Sequence, residues 1–187
     1  YSSPDTRYIF LGATDDSGNM YIAQKYGSTS TYRIYKYVLA TSGGSTAQSA
    51  TSSTVIGGYG NSTGNYVAIA AIKYDSSTGY LYVYDAARQK LITYTTAGAY
   101  VTEVSVATNT DQKNLSFMYA GVAYFVGAYG LTLISPSTGE VLTRFQNIPG
   151  VIRGFLSSQL SFYGHGPNTY STYAGKVIRV PYPTTLT

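Results

Sequence analysis

Four segments of this chain repeat one phrase, a turn of small residues followed by a strand rich in aromatic side chains. They are SGNMYIAQ at 17–24, TGYLYVYD at 78–85, AGVAYFVG at 120–127 and, in degraded form, SSQLSFYG at 157–164. With Gly18, Gly79, Gly121 and Ser158 as equivalent points, the intervals are 61, 42 and 37 residues. A unit built this way cannot bury its apolar faces alone, so neighbouring units must stack on one another.

A period of roughly 40 residues made of strands alone is the period of propeller blades. The expected fold is therefore all-β, a small β-propeller of about four blades of about 47 residues each. A β-sandwich with regularly spaced strands is the alternative. The first interval is about 20 residues too long for this period. Its surplus falls in 41–65, which is almost pure Ser, Thr, Gly and Ala. Such a composition buries too little apolar surface to offset its ordering entropy. It is expected to be an insertion running as a long surface loop, in which only Thr54–Ile56 can pair as a short edge strand. Residues 1–187 are read as one all-β domain carrying that insertion.

Almost every other segment has strand character. Val, Ile, Tyr and Thr dominate 7–13, 20–25, 31–39, 66–74, 80–85, 90–95, 100–108, 115–119, 122–127, 131–135, 141–146, 151–156, 160–163 and 176–181, with Gly, Pro, Asn, Asp or Ser at their ends. In TYRIYKYVL at 31–39 both alternating faces carry bulky residues, so each face must be covered or capped.

Within this pattern, AYFVGAYGLTLISPSTGEVLTRFQNIPGVIRGF at 123–155 resembles a blade of the YVTN and quinoprotein-like β-propellers. In those repeats a Tyr-Val-Gly strand is followed by a strand ending in a Pro-x-Thr-Gly-x-Val hairpin. TGYLYVYDAARQKLITYTTAG at 78–98 and DDSGNMYIA at 15–23 are similar but looser. The tryptophans of quinoprotein blades are missing, and the resemblance implies architecture without chemistry.

Catalytic equipment is thin. His165 is the chain's one histidine, in the loop Tyr-Gly-His-Gly-Pro, and no Gly-x-Ser-x-Gly elbow accompanies it. Without cysteine there is no thiolate nucleophile, disulfide or thiolate metal site. Among the 8 carboxylates, Asp15 and Asp16 sit in a hairpin that aspartate favours for its own hydrogen bonds. Asp75 and Asp85 flank one strand, and turn roles explain both. Glu103, Asp111 and Glu140 have no obvious partner. Gly57-Gly58-Tyr59-Gly60 precedes neither a helix nor a Lys-Ser/Thr pair, so it is no phosphate cradle. No enzyme activity, cofactor or metal is expected.

Charged residues make up 11% of the chain, and its 12 lysines and arginines, for a net charge of +4, include no adjacent pair. That scatter argues against a nucleic-acid footprint, and no apolar run is long enough to span a bilayer. Beginning at Tyr1, the chain is expected to be a mature form whose targeting segment has been removed. Low charge, many hydroxyls and the sequons at Asn61 and Asn114, candidate N-glycosylation sites, fit a secreted or cell-surface protein. The composition resembles that of extracellular proteins of thermophilic or acidophilic microbes.

Tyrosine is what remains in excess, with 22 copies and no tryptophan. A core is not expected to hold them all, which leaves an exposed aromatic surface for association. Candidates for self-association are Tyr1, Tyr35, Tyr37, Tyr59, Tyr170, Tyr173 and Tyr182, together with the extended ends 1–6 and 180–187 as donated strands. The expected function is a secreted non-enzymatic subunit that polymerises with copies of itself into a filament or surface layer. The alternative is a carbohydrate-binding propeller with glycans as partners.

Overall fold

The computed structural model describes residues 7–26, 31–39, 50–106, 114–127, 130–146, 153–156, 161–165 and 177–181. These are strands and turns, with no helix among them. The chain divides into two compact units, 1–103 and 104–187.

In the first unit, β1 (Arg7–Thr14), β2 (Met20–Tyr26), β3 (Tyr32–Leu39) and β4 (Ala50–Ile56) form an antiparallel meander in chain order. A short parallel pair, β5 (Gly58–Tyr59) and β6 (Asn65–Tyr66), follows it. The second meander is β7 (Ile69–Asp75), β8 (Tyr80–Asp85), β9 (Lys90–Thr95) and β10 (Tyr100–Ser105), whose last two residues pass the unit boundary. In the second unit, β11 (Asn114–Tyr119), β12 (Val122–Gly127), β13 (Gly130–Ile134) and β14 (Val141–Gln146) repeat the arrangement. A three-stranded sheet of β15 (Arg153–Leu156), β16 (Ser161–His165) and β17 (Val177–Pro181) follows.

The sequence repeat and the structural repeat are in phase. Gly18, Gly79, Gly121 and Ser158 each lie between the first and second strands of their sheets. The aromatic strand of the phrase is thus always the second strand. A further regularity escaped the sequence: β1, β7 and β11, each first in its sheet, carry a bulge against the second strand. A bulge bends a strand and increases its twist, as stacked blades require.

In the segment 41–65, Thr54–Ile56 pair with β3 as expected, but the strand they end is longer than expected. Residues 50–56 are the full fourth strand of the first sheet, paired with β3 from Ile34↔Ile56 to Leu39↔Ala50. A row of open donors and acceptors on β3 gives this Ser/Thr-rich stretch a ladder, and hydroxyl side chains sit well on an edge strand. The surplus of the first interval is therefore split between 40–49 and the linker 57–68, which contains β5 and β6.

Burial explains why the strands are so apolar. Tyr21, Ala23, Ile34 and Ile56 of the first sheet pack with Ile69, Ile72, Leu81, Val83, Ile92 and Tyr94 of the second, with Tyr66 of the linker among them. Alternation decides the faces: Ile34 pairs with Ala23 and Ile72 with Val83, and all four point into this shared core.

Candidate functional site

Seven of the described tyrosines are core members. Tyr21, Tyr26, Tyr66, Tyr82, Tyr84, Tyr94 and Tyr124 are buried, while Tyr59, Tyr80 and Tyr100 are exposed, so the core holds part of the ring excess and not all of it. The hydroxyls of Tyr66 and Tyr94 reach backbone groups. Tyr66 accepts the Ile34 amide at 3.0 Å and donates to the Ile56 carbonyl at 2.8 Å, and Tyr94 donates to the Gly64 carbonyl at 2.8 Å. Each ring fills core volume and its polar tip satisfies a buried group. Burial pushes the Tyr66 phenol up to about 12 and raises that of Tyr94 further.

The turn after β1 is organised by Asp15. Its carboxylate accepts the amides of Ser17 and Asn19, the Asn19 side-chain amide and the Tyr21 hydroxyl, at 2.8–3.0 Å. Burial raises the Asp15 pKa, and these four bonds outweigh it, holding the carboxyl below its ordinary value. Asp16 accepts the Tyr74 hydroxyl at 3.0 Å. The Thr96 carbonyl lies 3.1 Å from the Tyr21 hydroxyl and accepts from Lys36 Nζ at 2.9 Å, which seats the β9–β10 turn on the first sheet.

Glu103, which showed no partner in the sequence, has two. It pairs with Arg88 at 2.8 Å and accepts the Gly64 amide at 3.1 Å, while Arg88 also donates to the Asn65 carbonyl. Asp75 and Asp85 end at opposite ends of β8 and do not meet. Asp75 caps its turn through the Ser77 amide and hydroxyl. Asp85 accepts the amides of Val67, Ala68, Ala87 and Arg88, fastening the linker to the second sheet. These carboxylates serve turns and the linker, and among the described residues no three metal-ligating side chains gather.

Among the described residues, large apolar side chains reach the surface singly at Val38, Tyr80 and Leu142 and as a small set around the linker. Tyr59 is 49% exposed, Tyr100 43%, Val101 41% and Val55 46%. Gly64 lies against the Tyr100 ring, and Gly98 against Ile56 and the Val55 carbonyl, which brings β4, the linker and the start of β10 together. Of the association candidates, Tyr59 is in this set, whereas Tyr35 and Tyr37 lie half-buried on β3. Tyr1, Tyr170, Tyr173 and Tyr182 lie outside the described residues, as does Asp111. Asn61 is exposed in the linker, Asn114 opens β11, and His165 ends β16 opposite Arg153 and Val177. Tyr100 and Val101 were absent from the sequence candidates, because nothing in a Tyr-Val pair says that its strand ends a sheet.

No family model matches this chain, and no curated protein does. Solved structures do match. A Bacteroides caccae protein of unknown function superposes with a TM-score of 0.60 at 12% identity, over 97% of this chain and 66% of that one. Virginiamycin B lyase from Staphylococcus aureus, a β-propeller, gives 0.57 at 14% identity, over 100% of this chain and 59% of that one. The fold is a β-propeller. A Bacteroides fragilis protein classed as exported gives 0.56 at 12% identity, over 97% and 52%. The chain thus spans between 52% and 66% of the length of these three structures. The three four-stranded sheets and the three-stranded sheet correspond to the expected blades, and the YVTN-like segments contribute the first hairpin of the first and the second hairpin of the second and third.

Proposed function

We propose that this chain is a secreted, non-enzymatic propeller subunit that associates with copies of itself into an extracellular filament or surface layer. The observation that carries the reading is β10. It ends its sheet, and its first two residues, Tyr100 and Val101, are both exposed although successive side chains point to opposite faces. An edge strand with apolar area on both faces invites another strand to add to it. With 11% charge the chain has little material for an ionic interface, so apolar burial and backbone pairing dominate. The sequons and the exported Bacteroides fragilis neighbour support an extracellular or envelope address.

The test is sedimentation velocity of wild type and Val101→Lys at low and high salt. Wild type should sediment above the monomer in both salts, and the lysine variant, with unchanged circular dichroism, should be monomeric. Wild type that stays monomeric at high concentration overturns the assembly reading.

A second reading has its own observation. Tyr59 and Tyr100 border the polar loop of Asn61, Ser62 and Thr63, an arrangement of rings and hydrogen-bonding groups on which a sugar can stack. Saturable glycan binding by a monomer, lost in Tyr100→Ser, would favour it. Asn61 itself is proposed to carry an N-linked glycan, which mass spectrometry of natively secreted protein would show.

A further inference from the structure

On the face of the first sheet that points away from the shared core, Tyr26 of β2 and Tyr35 of β3 meet head to head. Their hydroxyl oxygens are 2.7 Å apart and share a hydrogen bond. The two residues are not cross-strand partners: Ile22 is opposite Tyr35, and Gln24 is opposite Arg33. Both rings therefore lie along the sheet and converge above Arg33, whose guanidinium is 5.2 Å from the Tyr26 ring centre. Tyr37 extends the group, its ring centre 6.1 Å from that of Tyr35 and its hydroxyl 3.3 Å from Gln24 Nε2. Tyr26 is 9% exposed while Tyr35 and Tyr37 are half-buried, so the group opens to solvent on the β3 side.

The chain around this group has 22 tyrosines, no cysteine, no tryptophan and 2 methionines. Thiols and indoles are the side chains that compete with phenols for one-electron oxidants. Here an oxidising equivalent that enters the protein has only phenols and two thioethers to settle on. A phenol hydrogen-bonded to a second phenol releases its proton as the electron leaves, and Tyr37 stands close enough to relay a radical from the exposed side.

We propose that Tyr26 and Tyr35 form an intrachain oxidative cross-link, a modification site that takes peroxide as its oxidant. Each phenol gives one electron and one proton to hydrogen peroxide, which becomes two waters and leaves two phenoxyl radicals. A carbon–carbon bond forms between the ring carbons ortho to the two oxygens. The hydrogens on those carbons then move to the oxygens, restoring both aromatic phenols. The chain loses two hydrogen atoms and gains a covalent tie between β2 and β3, which would fasten the first blade of a protein that has no disulfides.

The test treats the full chain, dilute and folded, with hydrogen peroxide and a small haem peptide. Intact mass and tandem mass spectrometry of the digest then locate the coupling. The expected result is the loss of two hydrogens, with the peptides of Tyr26 and Tyr35 joined at a rate independent of protein concentration. Tyr26→Phe and Tyr35→Phe should each lose this cross-link, whereas Tyr59→Phe should keep it and denaturation in urea should abolish it. Coupling spread over Tyr59, Tyr80 and Tyr100 without the Tyr26–Tyr35 product overturns the proposal. So does a Tyr26–Tyr35 product that forms equally in urea. Because the readout is intrachain at dilution, it stands or falls separately from self-association.

Discussion

The hydroxyl of Tyr66 donates to the carbonyl of Ile56 across 2.8 Å, with both residues fully buried. The same oxygen receives the Ile34 amide, so one phenol closes two orphaned backbone groups at the end of the β3–β4 ladder. Tyr66→Phe keeps the ring and strands both groups. The expected cost is about 2–4 kcal/mol, from two unsatisfied buried groups. A fall in the urea midpoint with an unchanged slope would show it.

The Arg88–Glu103 pair holds the linker through Asn65 and Gly64, and its side chains are only 13% and 12% exposed. Breaking such a pair leaves a charge uncompensated, so Glu103→Leu should cost about 2–4 kcal/mol, and Arg88→Met a similar amount. The double variant Arg88→Met/Glu103→Leu should be more stable than either single one. A double-mutant cycle from denaturant unfolding measures the coupling.

Two glycines at nearly the same backbone angle should respond differently to alanine. Gly18 (φ +77°) has open space where a Cβ would stand, whereas at Gly139 (φ +76°) that Cβ would strike the Ser105 carbonyl oxygen and press on Val104. Gly18→Ala should therefore cost only the left-handed strain of about 1–2 kcal/mol. Gly139→Ala adds a backbone collision and should lose clearly more, as thermal unfolding of the two variants side by side would show.

Alkaline pH should unfold the first unit through its tyrosines. Tyr66 has a folded pKa of about 12, set by burial, against an ordinary value of 10.0, and Tyr94 and Tyr21 are raised as well. A raised phenol pKa means that the fold prefers the neutral form. Its contribution is full below pH 10 and is lost as the pH rises through the folded value. Stability measured in denaturant should begin to fall above about pH 10, and less steeply in Tyr66→Phe. Asp15 has the opposite sign. Its lowered pKa supports the fold above the ordinary value of 3.8 and that support fades as acid protonates it.

Local chemistry alone determined the strands, the hairpins and their phase. The pairs β8 and β9 fall on the residues that alternation and the Asp and Gly turns marked, at Tyr80–Asp85 and Lys90–Thr95, because those signals need only neighbours in the chain. Asp15 and Asp75 took their turn roles for the same reason. The tertiary structure decided what depends on partners far along the chain. Thr54–Ile56 carried a short strand signal of their own, but residues 50–53 joined the strand because β3 offered an open edge. Glu103 on β10 found Arg88, in the β8–β9 turn of the same sheet, and Gly64 in the linker because the folded sheet and the linker bring these distant positions together. Tyrosine carries no local signal of its place, since one side chain serves as core filler or as exposed ring. Whether the side chain is buried with its hydroxyl on a buried carbonyl, as at Tyr66 and Tyr94, or is exposed, as at Tyr59 and Tyr100, depends on which sheet faces are covered, and covering is a property of the packed sheets.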